Sequence, residues 1–302
     1  MTSIQNECGM KLSPNAEEIL SARYYLRDTR GNVVEDFPKL VRRVASFLAG
    51  PKELFGGPRM VAKMQDVFYR QIITLRLVPS SPILMSAGTA SPYCTACYVL
   101  PVEDSLDSIM TTLKNAMIIQ KAGGGVGLDF SNIRESGSPV AGTGGVASGP
   151  LPFIAMYNSA SEAVKQGGRR RGALMAVLRV DHPDLMAFIE AKTNIGTFSH
   201  FNFSVAVTDS FMSAVEKDKT YALTDPKTGR SGRVLRARDI FCRIAECAHR
   251  CGDPSMIFID EINRLNSLPT RITATNPCGE QPLEPLGCLL PGIYKSLCSC
   301  QK

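Results

Sequence analysis

The sequence predicts an α/β fold with a largely parallel sheet, preceded by a helical N-terminal region. Two observations predict it. Over residues 1–76 apolar residues recur at three- and four-residue steps, the period of amphipathic helices. From residue 77 short apolar runs alternate with amphipathic segments, the order of strand–helix–strand units. This pattern does not separate an open doubly wound sheet from a barrel.

In the first region "PNAEEILSARYYLRD" follows Ser13, with Pro14 suited to a first helical turn and Glu17 and Glu18 near the positive end of the dipole. "FPKLVRRVASFLAG" and "PRMVAKMQDVFYRQIITLRLV" continue the helical period. Beyond it, "ACYVLPV", "GVGLDF", "ALMAVLRV", "FNFSVAV" and "MIFID" read as strands. Between them "DSLDSIMTTLKNAMIIQKAGG", "PFIAMYNSASEAVKQ", "PDLMAFIEAKT", "DSFMSAVEKD" and "ARDIFCRIAECAHRC" read as helices. A Gly/Ser/Pro-rich loop runs over residues 131–150, and "PLGCLLPGIYKSLCSCQK" has no clear period.

The chain has 302 residues, 44% hydrophobic and 21% charged, the balance of a soluble globular protein with a sizeable core. No run of about 18 apolar residues suggests a transmembrane helix, and the N-terminus lacks the signal-peptide pattern. A cytoplasmic protein with no membrane partner is expected. The net charge of +6 suits an anionic ligand. There is no tryptophan and no interleaving of aromatic with basic residues, so nucleic acid is not an expected partner. Ten cysteines in such a chain point to metal binding, catalysis or burial. Cys94 and Cys97 have no second tight pair at zinc-ribbon spacing, so no metal site is assigned.

The segment "KAGGGVGLDFSNIRESGSPVAGTGGVASGP" places glycines between a helix and a strand. A dinucleotide fingerprint needs the opposite order, and no P-loop occurs. A tight helix-to-strand connection explains these glycines. The arginines of "QGGRRRGALM" suit phosphate, or pair with acidic neighbours on the surface.

In "ATNPCGEQPL" a cysteine stands two residues after Asn276 and two before Glu280. No histidine is local to it to act as base, and a nearby carboxylate opposes a thiolate. Cys278 therefore suits a protonated thiol that gives up a hydrogen atom. On an extended loop Asn276, Cys278 and Glu280 would point the same way, and the amide and carboxylate would bind and deprotonate a substrate hydroxyl. A structural cysteine in a loop is the alternative.

"SSPILMSAGT", "ACYVLPVEDSLDSI", "GGGVGLDFSNIRESGSP", "GPLPFIAMYNSASEAVKQGGRRRGALM", "NFSVAVTDSFM" and "ATNPCGEQPL" occur in one order. Together they resemble the N-terminal part of the catalytic subunit of ribonucleotide reductases, closest to the adenosylcobalamin-dependent type. The resemblance implies a ten-stranded α/β barrel, with the cysteine loop at its centre and only its first half in this chain. It implies reduction of ribonucleoside diphosphates to deoxyribonucleotides for DNA synthesis, with adenosylcobalamin as cofactor. Cys278 would be the thiyl radical, Glu280 would take the 3′ hydroxyl proton and Asn276 would hold that hydroxyl. Cys97 would be one reducing thiol, with Cys288 as its partner. Ser81, Ala96 and Gly125 would line the substrate ribonucleotide. Asp104, Ser105, Leu106 and Arg134 would bind a nucleoside triphosphate effector, Asp104 also capping the helix that it opens. "KTNIGTFSHFN", residues 192–202, is similar to the loop that relays effector identity to the substrate base. A dithiol reductant such as thioredoxin and a homodimer of the full-length parent, across the helices at 104–122 and 150–166, are also implied.

The resulting division is a helical region over 1–76, the first half-barrel with the cysteine loop over 77–283, and a divergent, truncated tail over 284–302. A half-barrel is expected to expose two sheet edges and an apolar inner face. Rival readings are the large subunit of the iron-dependent class, a nucleotide-binding remnant without chemistry, and a zinc-binding structural protein.

Overall fold

The computed structural model describes residues 12–90, 92, 94–140, 144–164, 173–194 and 196–287. The chain divides into two compact units, Met1–Ala96 and Cys97–Lys302.

The first unit is helical. Helix α1 (Pro14–Arg23) starts at Ser13, whose hydroxyl accepts the Ala16 N–H, and α2 (Phe37–Ala49) starts at Asp36, whose carboxylate accepts the Lys39 N–H. Helix α3 (Glu53–Ile73) is broken at Gly56 and Gly57, just before Pro58. A short α4 (Ser81–Ser86) follows. Leu40, Val41 and Val44 of α2 meet Ile72, Ile73, Tyr25 and Ala87 in one core. The Arg43 guanidinium, only 9% exposed, pairs with Glu35 at 2.7 Å and donates to the carbonyls of Leu84 and Ala87. Its charge is thus compensated while it holds the end of α4.

The second unit is a five-stranded parallel sheet in the order β1 (Cys97–Pro101), β2 (Gly125–Asp129), β3 (Leu174–Arg179), β4 (Phe201–Val207), β7 (Ser255–Phe258). Helices α5 (Leu106–Lys121), α6 (Pro150–Ala163) and α7 (Leu185–Glu190) connect the first four strands. Between β4 and β7 run α8 (Asp209–Glu216), the antiparallel hairpin β5 (Thr220–Thr224) and β6 (Ser231–Arg236), and α9 (Ala237–Cys251). Helix α10 (Ile259–Arg264) and a second small hairpin, β8 (Ala274–Thr275) with β9 (Pro282–Leu283), complete the unit.

Alternation along the strands sorts side chains into two layers. Tyr98, Leu100, Val126, Leu128, Leu174, Ala176, Phe201, Phe203 and Val205 face the helices and form the large core. Phe188 stacks on Phe203 with ring centroids 4.5 Å apart, and the buried Tyr157 of α6 donates to the Ile109 carbonyl of α5. Val99, Met175, Val177, Ala206 and Ile257 form the other face, where Ile272 and Ala274 cover them.

Two expectations change here. The segment read as the strand "MIFID" is β7 only to Phe258, after which α10 begins. The edge at β1 is also not left open: Val99 donates to the Gly287 carbonyl and accepts from the Leu286 N–H. The chain following β9 therefore satisfies part of that edge.

Candidate active site at the cysteine hairpin

The β8–β9 hairpin lies directly on the inner face of β2. A Cβ at Gly127 would stand 1.7 Å from the Thr275 carbonyl oxygen, and one at Gly125 would stand 2.7 Å from Pro277 Cγ. Alternate glycines on one strand thus clear a track for a second backbone.

The turn between the two short strands is closed by its own polar groups. Gly279, at φ +80°, donates to the Asn276 carbonyl, and the Asn276 N–H donates to Gln281. The Asn276 side-chain oxygen accepts the Gln281 N–H at 3.0 Å. Its Nδ2 donates to Cys97 Sγ at 3.2 Å. Both functions of this buried amide are therefore used. Asn202 of β4 donates from Nδ2 to the Pro277 carbonyl at 2.6 Å. Beyond these anchors Cys278, Gly279 and Glu280 form an exposed tip.

The extended loop expected for residues 276–280 is thus a tight turn. Asn276 faces inward to Cys97, while Cys278 and Glu280 are exposed at the tip. The geometry joins Asn276, Cys97 and Gly125 around the hairpin that carries Cys278 and Glu280. Cys288 lies outside the described residues, as do the arginines of "GGRRRG". Ser81 and Ala96 belong to the first unit, where the Ser81 hydroxyl is 2.9 Å from that of Tyr24 and Ala96 is half-buried. Cys94, in the same unit, has its thiol pKa pushed up by burial.

Asp104 and Arg134 come together beyond the C-terminal ends of β1 and β2. Arg134 Nε donates to Asp104 Oδ2 at 2.7 Å, and the Arg134 N–H reaches Oδ1. The expected capping role of Asp104 does not hold. Ser105 is the N-cap of α5, its hydroxyl accepting the Ser108 N–H, because the Asp104 carboxylate turns to Arg134. Leu106, first in the helix, is 62% exposed.

The loop carrying Arg134 is fastened by His182, which is fully buried. Nε2–H donates to the Ile133 carbonyl at 2.8 Å, and Nδ1 accepts the Asp184 N–H at 3.0 Å. This pairing defines a neutral imidazole, and burial holds its pKa below the ordinary value. Asp184 in turn accepts the Ser136 N–H. At the same end of the sheet, a pocket of about 360 Å³ is lined by Asp129, Arg179, Arg271 and Thr273 among others. Burial pushes the Asp129 carboxyl up, against the opposing effect of hydrogen bonds from Ser131 and Thr273.

Sequence reasoning missed Asn202 and Gly127. The second had a visible signal, since glycine inside a strand pattern marks close backbone approach. Asn202 had none, because its partner lies 75 residues away. Among the described residues no group of three or more His, Cys, Asp or Glu is arranged to hold a metal ion. No described helix is long and apolar enough to cross a membrane.

The two units coincide with two family matches. Residues 10–92 match the all-alpha domain of ribonucleotide reductase and residues 95–298 match its barrel domain. The chain is 44% identical over 279 residues to a vitamin B12-dependent ribonucleoside-diphosphate reductase of Mycobacterium tuberculosis, covering 91% of this chain and 40% of the relative. A protein of the same description from Thermoplasma acidophilum is 35% identical, with 91% and 43% covered. A ribonucleoside-diphosphate reductase large subunit from vaccinia virus is 30% identical, with 67% and 30% covered. The chain thus spans about 40% of the length of these two vitamin B12-dependent relatives. With one model spanning the parallel sheet and its cysteine hairpin and another the helical unit, this chain belongs to the ribonucleotide reductase family.

Proposed function

We propose that this chain is the N-terminal part of a catalytic subunit that reduces ribonucleoside diphosphates by a thiyl-radical mechanism dependent on adenosylcobalamin. The observation that carries the reading is the 3.2 Å bond from Asn276 to Cys97, residues 179 positions apart, beneath the exposed Cys278. The relatives at 44% and 35% identity are vitamin B12-dependent reductases, which favours a B12-dependent enzyme over the iron-dependent class.

When bound, adenosylcobalamin would supply the radical equivalent that removes the Cys278 hydrogen atom. An exposed thiol at a hairpin tip fits a bulky external source, and Cys278 is the residue of this chain that would meet it. The chain's own residues then have these roles. Cys278 takes the ribose 3′ hydrogen, Glu280 takes the 3′ hydroxyl proton, and Asn276 holds that hydroxyl through the Nδ2 hydrogen that is not given to Cys97. The 2′ hydroxyl leaves as water. Cys97 and Cys288 supply two electrons and two protons, becoming a disulfide, and Cys278 returns the hydrogen to C3′. Gly125, beside the hairpin, contributes to the ribonucleotide pocket. A dithiol reductant such as thioredoxin resets the disulfide.

Asp104, Ser105, Leu106 and Arg134 form the nucleoside triphosphate effector site, and α5 and α6 form the homodimer contact of the whole enzyme. The enzyme is cytoplasmic, where its substrates are.

The test is deoxyribonucleotide formation by the purified chain with adenosylcobalamin, a dithiol and an effector triphosphate, beside Cys278→Ala. Product that disappears in the variant supports the reading. Product retained by Cys278→Ala overturns the assignment of Cys278. Effector binding without product from the folded chain favours a nucleotide-binding piece whose chemistry needs the rest of the parent.

A further inference from the structure

We propose that Asn202 is a positioning residue for Cys278, and that it ties segment 192–202 to the reacting thiol. The functional meaning of this tie rests on the reading of Cys278 as that thiol; the tie itself does not.

Asn202 stands on the inner face of β4, between Phe201 and Phe203, each only 1% exposed in the core. Its backbone is therefore fixed, and its carboxamide reaches the carbonyl of Pro277, the residue immediately before Cys278. Among the described residues no other donor reaches that carbonyl. Pro277 is buried while Asn202 is exposed, so losing the donor would leave the carbonyl with no protein partner and open to water. Gly125 closes on the ring of the same proline from β2. Pro277 is thus gripped from two strands, while Asn276 is anchored to a third.

The segment leading to Asn202 is itself fastened at both ends. Lys192 Nζ lies 2.5 Å from Asp253 Oδ2 and donates to the Phe201 carbonyl. The other Asp253 oxygen accepts the Phe203 N–H at 2.9 Å. One carboxylate therefore ties the start of the segment to the strand at its end. The His200 N–H donates to Asn158 of α6 at 3.0 Å. The residues flanking Asn202 are thus held in place, and its bond to the Pro277 carbonyl joins the end of this segment to the cysteine hairpin.

The experiment compares the unsubstituted chain with Asn202→Ala and the isosteric Asn202→Asp. Alkylation of Cys278 by N-ethylmaleimide is followed by peptide mass spectrometry against the exposed Cys242 as internal reference. Hydrogen exchange reads the Gly279 and Gln281 amides that close the turn. Loss of one bond should change the relative Cys278 rate and turn protection about threefold to tenfold in both variants at neutral pH. Asn202→Asp should regain turn protection below the ordinary carboxylate range, because a protonated acid can donate to Pro277; Asn202→Ala should not. A role in packing alone would show no such recovery. Unchanged Cys278 reactivity and turn protection in Asn202→Asp would overturn the proposal. If Asn202→Ala fails to fold, the isosteric variant still decides it. Neither readout needs turnover, so failure of the reductase reading is distinguished from failure of this one.

Discussion

The carbonyl oxygen of Thr275 lies 1.7 Å from where a Cβ on residue 127 would stand. The obstacle is backbone, so no rotamer change relieves it. Gly127→Ala must lift β8 from β2, and should destabilise the second unit by about 1–3 kcal/mol. A urea titration of both proteins measures this. In the variant Cys278 alkylation should also change, since its hairpin has moved. A variant as stable as the parent, with unchanged alkylation, would show that the hairpin does not lie on Gly127 in solution.

Asn276 makes the second prediction. Its side chain both closes the turn at Gln281 and donates to Cys97. Asn276→Leu keeps comparable volume but leaves the Gln281 N–H without its side-chain acceptor, at a cost of about 1–3 kcal/mol. Cys97→Ala removes only the acceptor of the other bond, so its effect on stability should be smaller. Because the two residues share one contact, the double variant should cost less than the sum of the singles. Additive losses in chemical denaturation would mean that the 3.2 Å contact carries no energy.

The order of strands and helices from β1 to α9 was largely legible because their apolar periods differ, and the long connection over 131–150 is marked by its Gly, Ser and Pro content. The β5–β6 hairpin was not. Residues 231–234 and 236 of β6 are exposed, so no buried face imposes an alternating pattern on them. The two-residue strands β8 and β9 are too short to show any period. At the site, Asn276, Cys278 and Glu280 were noticed because they share one short motif. Cys97 entered through family resemblance, since nothing local connects it to a residue 179 positions on. The extended shape drawn for that motif failed because Gly279 supports a left-handed turn and the Asn276 amide closes it. The proposed cap on α5 failed similarly: Asp104 and Ser105 can both cap, and a distant arginine decides between them.

His182 makes stability depend on pH. Burial is the largest cause of its lowered pKa, so the unfolded chain binds the proton more readily than the folded one. The contribution is therefore present above the ordinary value of 6.5 and is lost as pH falls through and below it. Asp181, Asp184, Arg179 and Asp225 are the charged groups that act on or respond to this ring. The melting temperature should fall between pH 7.5 and pH 5.5, and His182→Gln should reduce the slope. An equal slope in both proteins would assign the acid sensitivity to other groups.

The Asp104–Arg134 pair yields the last prediction. The two side chains are 23% and 19% exposed, so water only partly screens them. Arg134 is thereby held near the start of α5, where a bound triphosphate would meet a cation and the positive end of a helix. Arg134→Ala removes that cation outright. Asp104→Asn keeps the cation but gives up the charge-assisted bond that orients it. Both should weaken nucleoside triphosphate binding, the arginine variant by about tenfold or more and the asparagine variant by less. Isothermal titration with ATP and dTTP reads both affinities directly on the purified chain, without turnover. If Asp104→Asn instead binds more tightly, the carboxylate competes with the phosphates for Arg134, and its role is to restrain the arginine rather than to present it.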